Sequence, residues 1–267
     1  MLTGEINMDI IEYNQKNWDK ESKEGIRWSI PVDHKTIVQA KNGKWNVILT
    51  PNKNVPKSWF GDIKNKKILC LASGGGQQAP VFAAAGAIVT SLDLSSEQLK
   101  KDKLVADREN LKIEIIQEEM ANLSHFPDET FDIIFHPISN VFAPDITKVW
   151  NECFRVLKFG GRLLSGFMNP SFYLFDHFEA DKTGNYKVKY KLPYSDIDSL
   201  TKEQQAKLKK NKLAFEFSHS LETQIGGQTK AGFVISDLYE DWWDNESTKL
   251  NKYSPTSIAT LARKINI

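Results

Sequence analysis

The sequence predicts a doubly wound α/β domain, and three observations carry that expectation. From Lys66 onward, apolar strand patterns alternate with helical ones, the rhythm of a parallel sheet covered on both faces. Between the first strand and the first helix of that rhythm stands "CLASGGGQQAP", Cys70 to Pro80, with three consecutive glycines, Gly74 to Gly76. An acidic residue, Asp93, ends the next strand. Glycines at a strand–helix turn let the backbone bend sharply or let something approach closely, and an acid at the next strand end can bind a ribose.

The N-terminal elements come first. Met8 to Glu24 reads as an amphipathic helix, with Ile10, Ile11, Tyr13, Asn14, Asn17 and Trp18 at mostly helical spacing and Gly25 as its stop. Met8, where this pattern begins, is a candidate second start. A short helix follows Asp33 and ends at Gly43. An extended "WNVIL" comes next, and Pro51, Pro56 and Gly61 break up the remainder. Residues 1–65 are expected to form a cap segment rather than a separate domain.

Residues 66–169 hold the core alternation. "KILCLA" is a buried strand and "QQAPVFAAAG" a helix, with Pro80 in its first turn, where a missing N–H matters little. "AIVTSLD" is the second strand. Ser95, with Gln98 three residues later, caps the helix "SEQLKKDKLVADREN". "KIEIIQEE" and "FDIIFHP" are the third and fourth strands. "DITKVWNECFRVLK" is a helix that "FGG" is expected to stop, and "RLLSGF" is the fifth strand. Residues 170–218 lose the rhythm and read as an inserted lid, in which "NYKVKYKLPYSD" and "LAFEFSHS" flank the charged helix "TKEQQAKLKKNK". Residues 219–267 return to the core with the helix "SLETQIGGQTKAG", the strand "FVISDLYED" and the terminal strand "SIATLARKI".

Bulk properties narrow the function classes. The 267 residues are 40% hydrophobic and 11% aromatic, as in ordinary globular proteins, and the net charge is +1. That balance favours neither nucleic acid nor an anionic membrane as partner. No apolar run approaches the length of a membrane helix, and the N-terminus lacks the pattern of a signal peptide. The two cysteines, Cys70 and Cys153, lack metal-ligand spacing and read as reduced core thiols of a cytoplasmic protein. No metal site is expected.

Gly74, Gly76 and Ala79 satisfy G-x-G-x-x-A, and with Asp93 they form a dinucleotide fingerprint. An S-adenosylmethionine site uses the same physics, so the loop alone leaves both cofactors open. Three further stretches separate them: "RVLKFGG" before strand five, "EEMA" after strand three, and the closing helix–"AGF"–strand–strand pattern. In these the chain resembles the class I S-adenosylmethionine-dependent methyltransferases of the small-molecule type. The resemblance covers roughly residues 66–267. It implies a Rossmann-like sheet of seven strands, mostly parallel with an antiparallel last strand. It implies S-adenosyl-L-methionine as cofactor, with Ala72, Ser73, Gly74, Gly76 and Gln78 at the methionine end and Asp93 on the ribose. Leu94, Glu119, Met120 and Ala121 would meet the adenine, and His136 and Ser139 would also contact the cofactor. The chain departs from the family pattern at Cys70, where an acid that orients the loop is usual, and at Ala72, where a glycine is usual. Another acceptor is then expected to hold the cofactor's ammonium, most simply backbone carbonyls near Ala72 and His136.

Methyl transfer needs alignment in a dry site, and a base only when the nucleophile arrives protonated. The candidate catalytic residues are His136 and Asn140 in "FHPISNVF", after the fourth strand, and His219 before the last helix. Tyr13, Trp18 and Trp28 are candidate aromatic faces for a sulfonium. The expected partner is a small-molecule methyl acceptor. An RNA methyltransferase on the same fold, a nucleotide-binding oxidoreductase and a non-catalytic cofactor sensor are the other readings.

Overall fold

The protein was analysed as a computed structural model that describes residues 2–266, leaving aside the side chains of residues 2–9, 178 and 181. Seven strands form one sheet: β1 (Lys67–Leu71), β2 (Ile88–Asp93), β3 (Ile113–Gln117), β4 (Phe131–His136), β5 (Leu157–Met168), β6 (Val234–Asp241) and β7 (Ser257–Arg263), in the order β3-β2-β1-β4-β5-β7-β6. β1 to β5 are mutually parallel, and β7 runs antiparallel between β5 and β6. The strand order reverses direction between β1 and β4, which opens a crevice at their carboxyl ends. Leu71, Asp93, Gln117 and His136 all sit at that edge.

The sheet is buried on both faces, and the strands show how. Ile68 and Cys70 of β1 join a cluster with Val89, Ile133 and Phe135. Leu69 and Leu71 point the other way, to a cluster with Leu92, Ile134, Trp150 and Cys153. Successive side chains of a strand face opposite sides, so a continuous apolar run fills both layers. The first layer also contains Ile37, Val47, Leu49, Trp59 and Phe60. Apolar residues from 37 to 63 thus pack on this face of the sheet.

The helices are α1 (Leu2–Glu24), α2 (His34–Lys41), α3 (Gln78–Ala84), α4 (Ser96–Glu109), α5 (Thr147–Val156), α6 (His177–Thr183), α7 (Asp196–Ser199), α8 (Lys202–Asn211) and α9 (Gly227–Lys230). Helical backbone in α1 begins before Met8, whose side chain lies outside the described residues. Asp33 caps α2 by accepting from the Thr36 N–H, and Ser95 caps α4 by accepting from the Gln98 N–H. One expectation needs correction. "FGG" does not stop α5: the helix ends at Val156, β5 begins at once, and Phe159 to Gly161 form an irregularity in that strand, where the β4 register jumps from Leu157 to Arg162. "WNVIL" makes one bridge, from Ile48 to Asn54. The helix expected from Ser220 is present, with a π segment, Glu222–Gly226, that runs into the short α9.

Residues 170–218 bring Phe172, Tyr173 and Glu216 to the crevice, and they include α6, which the pattern did not show. No residue of the lysine-rich helix α8 is buried, so its charges form a solvated face. Asn14, only 2% exposed, joins cap to lid. Its Nδ2 donates to the carbonyls of Phe142 (2.9 Å) and Phe215 (3.0 Å), and its Oδ1 accepts from the Phe215 N–H (2.8 Å). Asn14→Ala leaves those buried groups unpaired and is expected to cost about 1–3 kcal/mol, read as a lowered midpoint in thermal unfolding.

Candidate active site

A cavity of ≈ 320 Å³ opens at the crevice. The glycine loop and the ends of β2 and β3 form one end, through Ala72, Ser73, Gly74, Gln78, Asp93, Leu94, Glu119 and Met120. Ser139 borders it beyond β4. Ile11 and Trp18 of the N-terminal segment, Phe172 and Glu216 of residues 170–218, and Phe142 and Trp243 from the core segments close the rest.

The triple glycine makes room mainly for this chain's own backbone. A Cβ on Gly75 would lie 2.4 Å from the Trp28 carbonyl oxygen, and one on Gly76 would lie 2.9 Å from Pro31. Both residues have positive φ, +124° and +77°, which glycine adopts without strain. The Val32 N–H donates to the Gly76 carbonyl (2.9 Å), and the Gln77 side chain donates to the carbonyls of Arg27 and Ile30. Residues 27–32 are thus clamped onto the loop, and of the three glycines Gly74 is the one that borders the cavity.

Cys70 leaves β1 without its acid, and α4 supplies one. Asp102, fully buried, accepts from the Gly76 N–H (2.7 Å) and the Ser91 hydroxyl (2.6 Å). This carboxylate holds the loop through the Gly76 N–H. Asp102 shares the buried face of α4 with Leu99, Val105 and Ala106. The i, i+3, i+4 spacing was the signal available for it.

Asp93 accepts from the N–H groups of Gly74 (2.9 Å) and Ser95 (2.9 Å), one on each oxygen, which fixes the carboxylate at the cavity edge. Burial pushes its pKa up to about 6, and burial pushes that of Asp102 up to about 7. Glu119 is likewise raised by burial, and its Oε2 accepts from the Ala121 N–H. Ala121 and Gly76 support these groups from outside the cavity lining.

The three candidate catalytic residues are off the cavity lining. His136 has no exposed surface, and its ring is bonded on both sides: Nδ1 to the Leu71 carbonyl (2.9 Å) and Nε2 to the Asn140 side chain (2.8 Å). Asn140 continues to Gln224 (3.0 Å). His219 Nε2 meets the carbonyls of Asn140 (3.1 Å) and Ala143 (2.8 Å). Burial lowers the pKa of both histidines. The trio brace the 137–143 turn from beneath, which brings Ser139, Val141 and Phe142 to the cavity wall. Of the aromatic candidates, Trp18 and Trp28 line the cavity, whereas Tyr13 packs on Phe215 and donates to the Leu213 carbonyl.

Sequence reasoning missed Glu216. It lines the cavity, and its Oε2 accepts from the Tyr173 hydroxyl at 2.7 Å. Burial, reinforced by Asp196 and Glu21, raises its pKa to about 7. The available signal was a single acid alternating with Phe215 and Phe217 in "LAFEFSHS".

These raised carboxyls set a pH dependence. In the folded state Asp93, Asp102 and Glu216 hold protons up to about 6, 7 and 7, above their ordinary values of 3.8, 3.8 and 4.5. The folded state therefore binds more protons than the unfolded chain in that window, and stability falls as pH rises through it. Thermal unfolding is expected at a higher temperature near pH 5 than near pH 8, roughly the two sides of the window. Asp102→Asn is expected to flatten the difference.

Among the described residues, no helix is long and apolar enough to cross a membrane, and no cluster of His, Cys, Asp and Glu could hold a metal ion. A family model described as a methyltransferase domain matches residues 69–165. A Bacillus subtilis (strain 168) protein named uncharacterized methyltransferase YbaJ is 47% identical over 256 residues, 96% of this chain and 99% of that protein. A ubiquinone biosynthesis O-methyltransferase of Vibrio atlanticus (strain LGP32) is 27% identical over 157 residues, 58% of this chain and 63% of its own length. The S-adenosylmethionine dependent methyltransferase structure from Mesorhizobium loti shares the fold, with a TM-score of 0.58 at 16% identity, over 78% of this chain and 94% of its own. A methyltransferase of that type from Methanosarcina mazei gives 0.57 at 18% identity, over 80% and 99%. With its sheet order, its glycine loop and this full-length relative, the chain belongs to the class I S-adenosylmethionine-dependent methyltransferases.

Proposed function

We propose that this protein transfers a methyl group from S-adenosyl-L-methionine to a small-molecule acceptor by in-line displacement inside the cavity described above. The observation that carries the reading is that one continuous cavity joins the glycine loop and Asp93 to an apolar chamber lined by Trp18, Phe142, Phe172 and Trp243. The residues present fit the cofactor. Ser73 Oγ and Gln98 Oε1 are buried, border the cavity and have no hydrogen-bond partner among the described residues. A polar ligand at this end would satisfy them.

Asp93 would accept from the ribose hydroxyls, with lone pairs left over after Gly74 and Ser95. Leu94 and Met120 would pack on the adenine beside Glu119, and Ala72, Ser73, Gly74 and Gln78 would surround the methionine end. When bound, the cofactor supplies a methyl group on a sulfonium. The chain's part is to align the acceptor and exclude water. The walls formed by Trp18, Phe142, Phe172 and Trp243 provide that exclusion, and Trp18 and Trp28 offer aromatic faces to a cation. His136, Asn140 and His219 act by positioning the 137–143 turn. Cys70 and Cys153, both free and buried, fit the reducing cytoplasm.

Calorimetric titration tests the reading. S-Adenosylhomocysteine is expected to bind and NADH to give no heat. The reverse pattern would overturn it.

A further inference from the structure

Glu216 is the carboxylate of this cavity that cofactor binding leaves without a role. Asp93 and Glu119 stand at the glycine-loop end, whereas Glu216 comes from the lid and faces the apolar chamber. Its placement is tightly determined. Phe215 and Phe217 are buried on one side of the segment, in a cluster with Ile10, so the intervening side chain is turned the other way. The Glu216 N–H donates to Asp196 Oδ2 (2.8 Å), and its carbonyl accepts from the Asp196 N–H (3.0 Å). Tyr173 occupies Oε2, and no described residue donates to Oε1.

The charges around it are one-sided. The groups facing Glu216 are Tyr173 of the 170–174 turn, Asp196 of α7, Glu21 of α1, and Tyr194, which donates to Asp196. None of these is a cation. The described lining of the cavity holds Asp93, Glu119 and Glu216, and no lysine, arginine or histidine. A carboxylate or phosphate on the acceptor would therefore meet like charge in an apolar wall with no cationic side chain to neutralise it, which is costly.

We propose that Glu216 receives the proton of the methyl acceptor's nucleophile, and that the acceptor is an apolar molecule without negative charge that presents an O–H or N–H group. This deepens the methyltransferase reading and rests on it. As the acceptor's heteroatom forms its bond to the methyl carbon, the carbon–sulfur electron pair returns to sulfur and the heteroatom's proton passes to Glu216 Oε1. The neutral carboxyl then returns that proton to solvent when the product leaves. Tyr173 holds the carboxylate so that Oε1 faces the chamber. Burial poises the acid near neutrality, where a general base works best.

The test uses the full-length protein saturated with S-adenosylhomocysteine, and 2-naphthol and 2-naphthoate as matched probes. Naphthol donating to Glu216 favours the ionised carboxylate, so its binding near neutral pH is expected to release a proton. That release is read as a difference in binding heat between buffers of unlike ionisation enthalpy. Naphthoate is expected to bind at least ~10-fold more weakly above the carboxyl's pKa. Glu216→Gln is expected to abolish the proton release and narrow the preference. Tyr173→Phe removes a bond that favours the ionised form, so the pH of maximal release is expected to rise. Equal binding of the two probes, no naphthol binding, or proton release unchanged in Glu216→Gln would overturn the proposal. Failure of S-adenosylhomocysteine itself to bind would instead overturn the methyltransferase site.

Discussion

Asp93→Ala is expected to weaken S-adenosylhomocysteine binding by about 1–3 kcal/mol, roughly 5- to 150-fold, because two ribose hydrogen bonds to a charged group are lost. Titration calorimetry reads this directly. Asp93 also accepts from Gly74 and Ser95, so part of the loss comes from a loosened loop. Asp93→Asn separates the two contributions: it keeps an acceptor for one N–H but removes the charge, and is expected to fall between Ala and the wild type. An unchanged affinity in both variants would show that the ribose does not sit at the end of β2.

Gly75→Ala is expected to be the more damaging change to the fold. The added Cβ would lie 2.4 Å from a backbone oxygen of Trp28, at a φ of +124°. Backbone strain of this kind costs on the order of 1–3 kcal/mol by itself, and the clash with residues 27–32 adds to it. Gly43→Ala is the control, since its φ is +77° but nothing lies within 4 Å of the added carbon. Urea unfolding is expected to show a clearly larger loss for Gly75→Ala than for Gly43→Ala. Equal losses would mean that the N-terminal segment does not press on the loop.

Much of the sheet was legible because each core strand is a short apolar run between turn signals. "KILCLA" and "FDIIFHP" match β1 and β4 to within a residue or two. Ser95 marked its helix because a hydroxyl before an N-terminal turn has one geometry that satisfies a free N–H. Patterning could not show where segments distant in sequence meet. The glycines at 74 to 76 announced a close approach, but only the fold shows that the approaching groups are Trp28 and Pro31. His136 stood at the right strand end, and the fold turns its ring away from the cavity into two internal hydrogen bonds. Glu216 and Asp102 were hidden for a related reason. Each is a polar residue in an otherwise apolar pattern, and its role depends on partners in other elements, Tyr173 for one and Gly76 for the other. "FGG" misled because glycine suits an irregularity in a strand as well as a helix end.

On the proposed function, one cavity places the cofactor's sulfur against the chamber that Glu216 faces. A crystal structure of the full-length protein with S-adenosylhomocysteine bound tests it most directly. Ribose hydroxyls are expected on Asp93, adenine between Leu94 and Met120, and the thioether sulfur directed toward the space bounded by Tyr173, Glu216 and Trp243. A nucleotide seated elsewhere, or a sulfur directed away from that space, would contradict it.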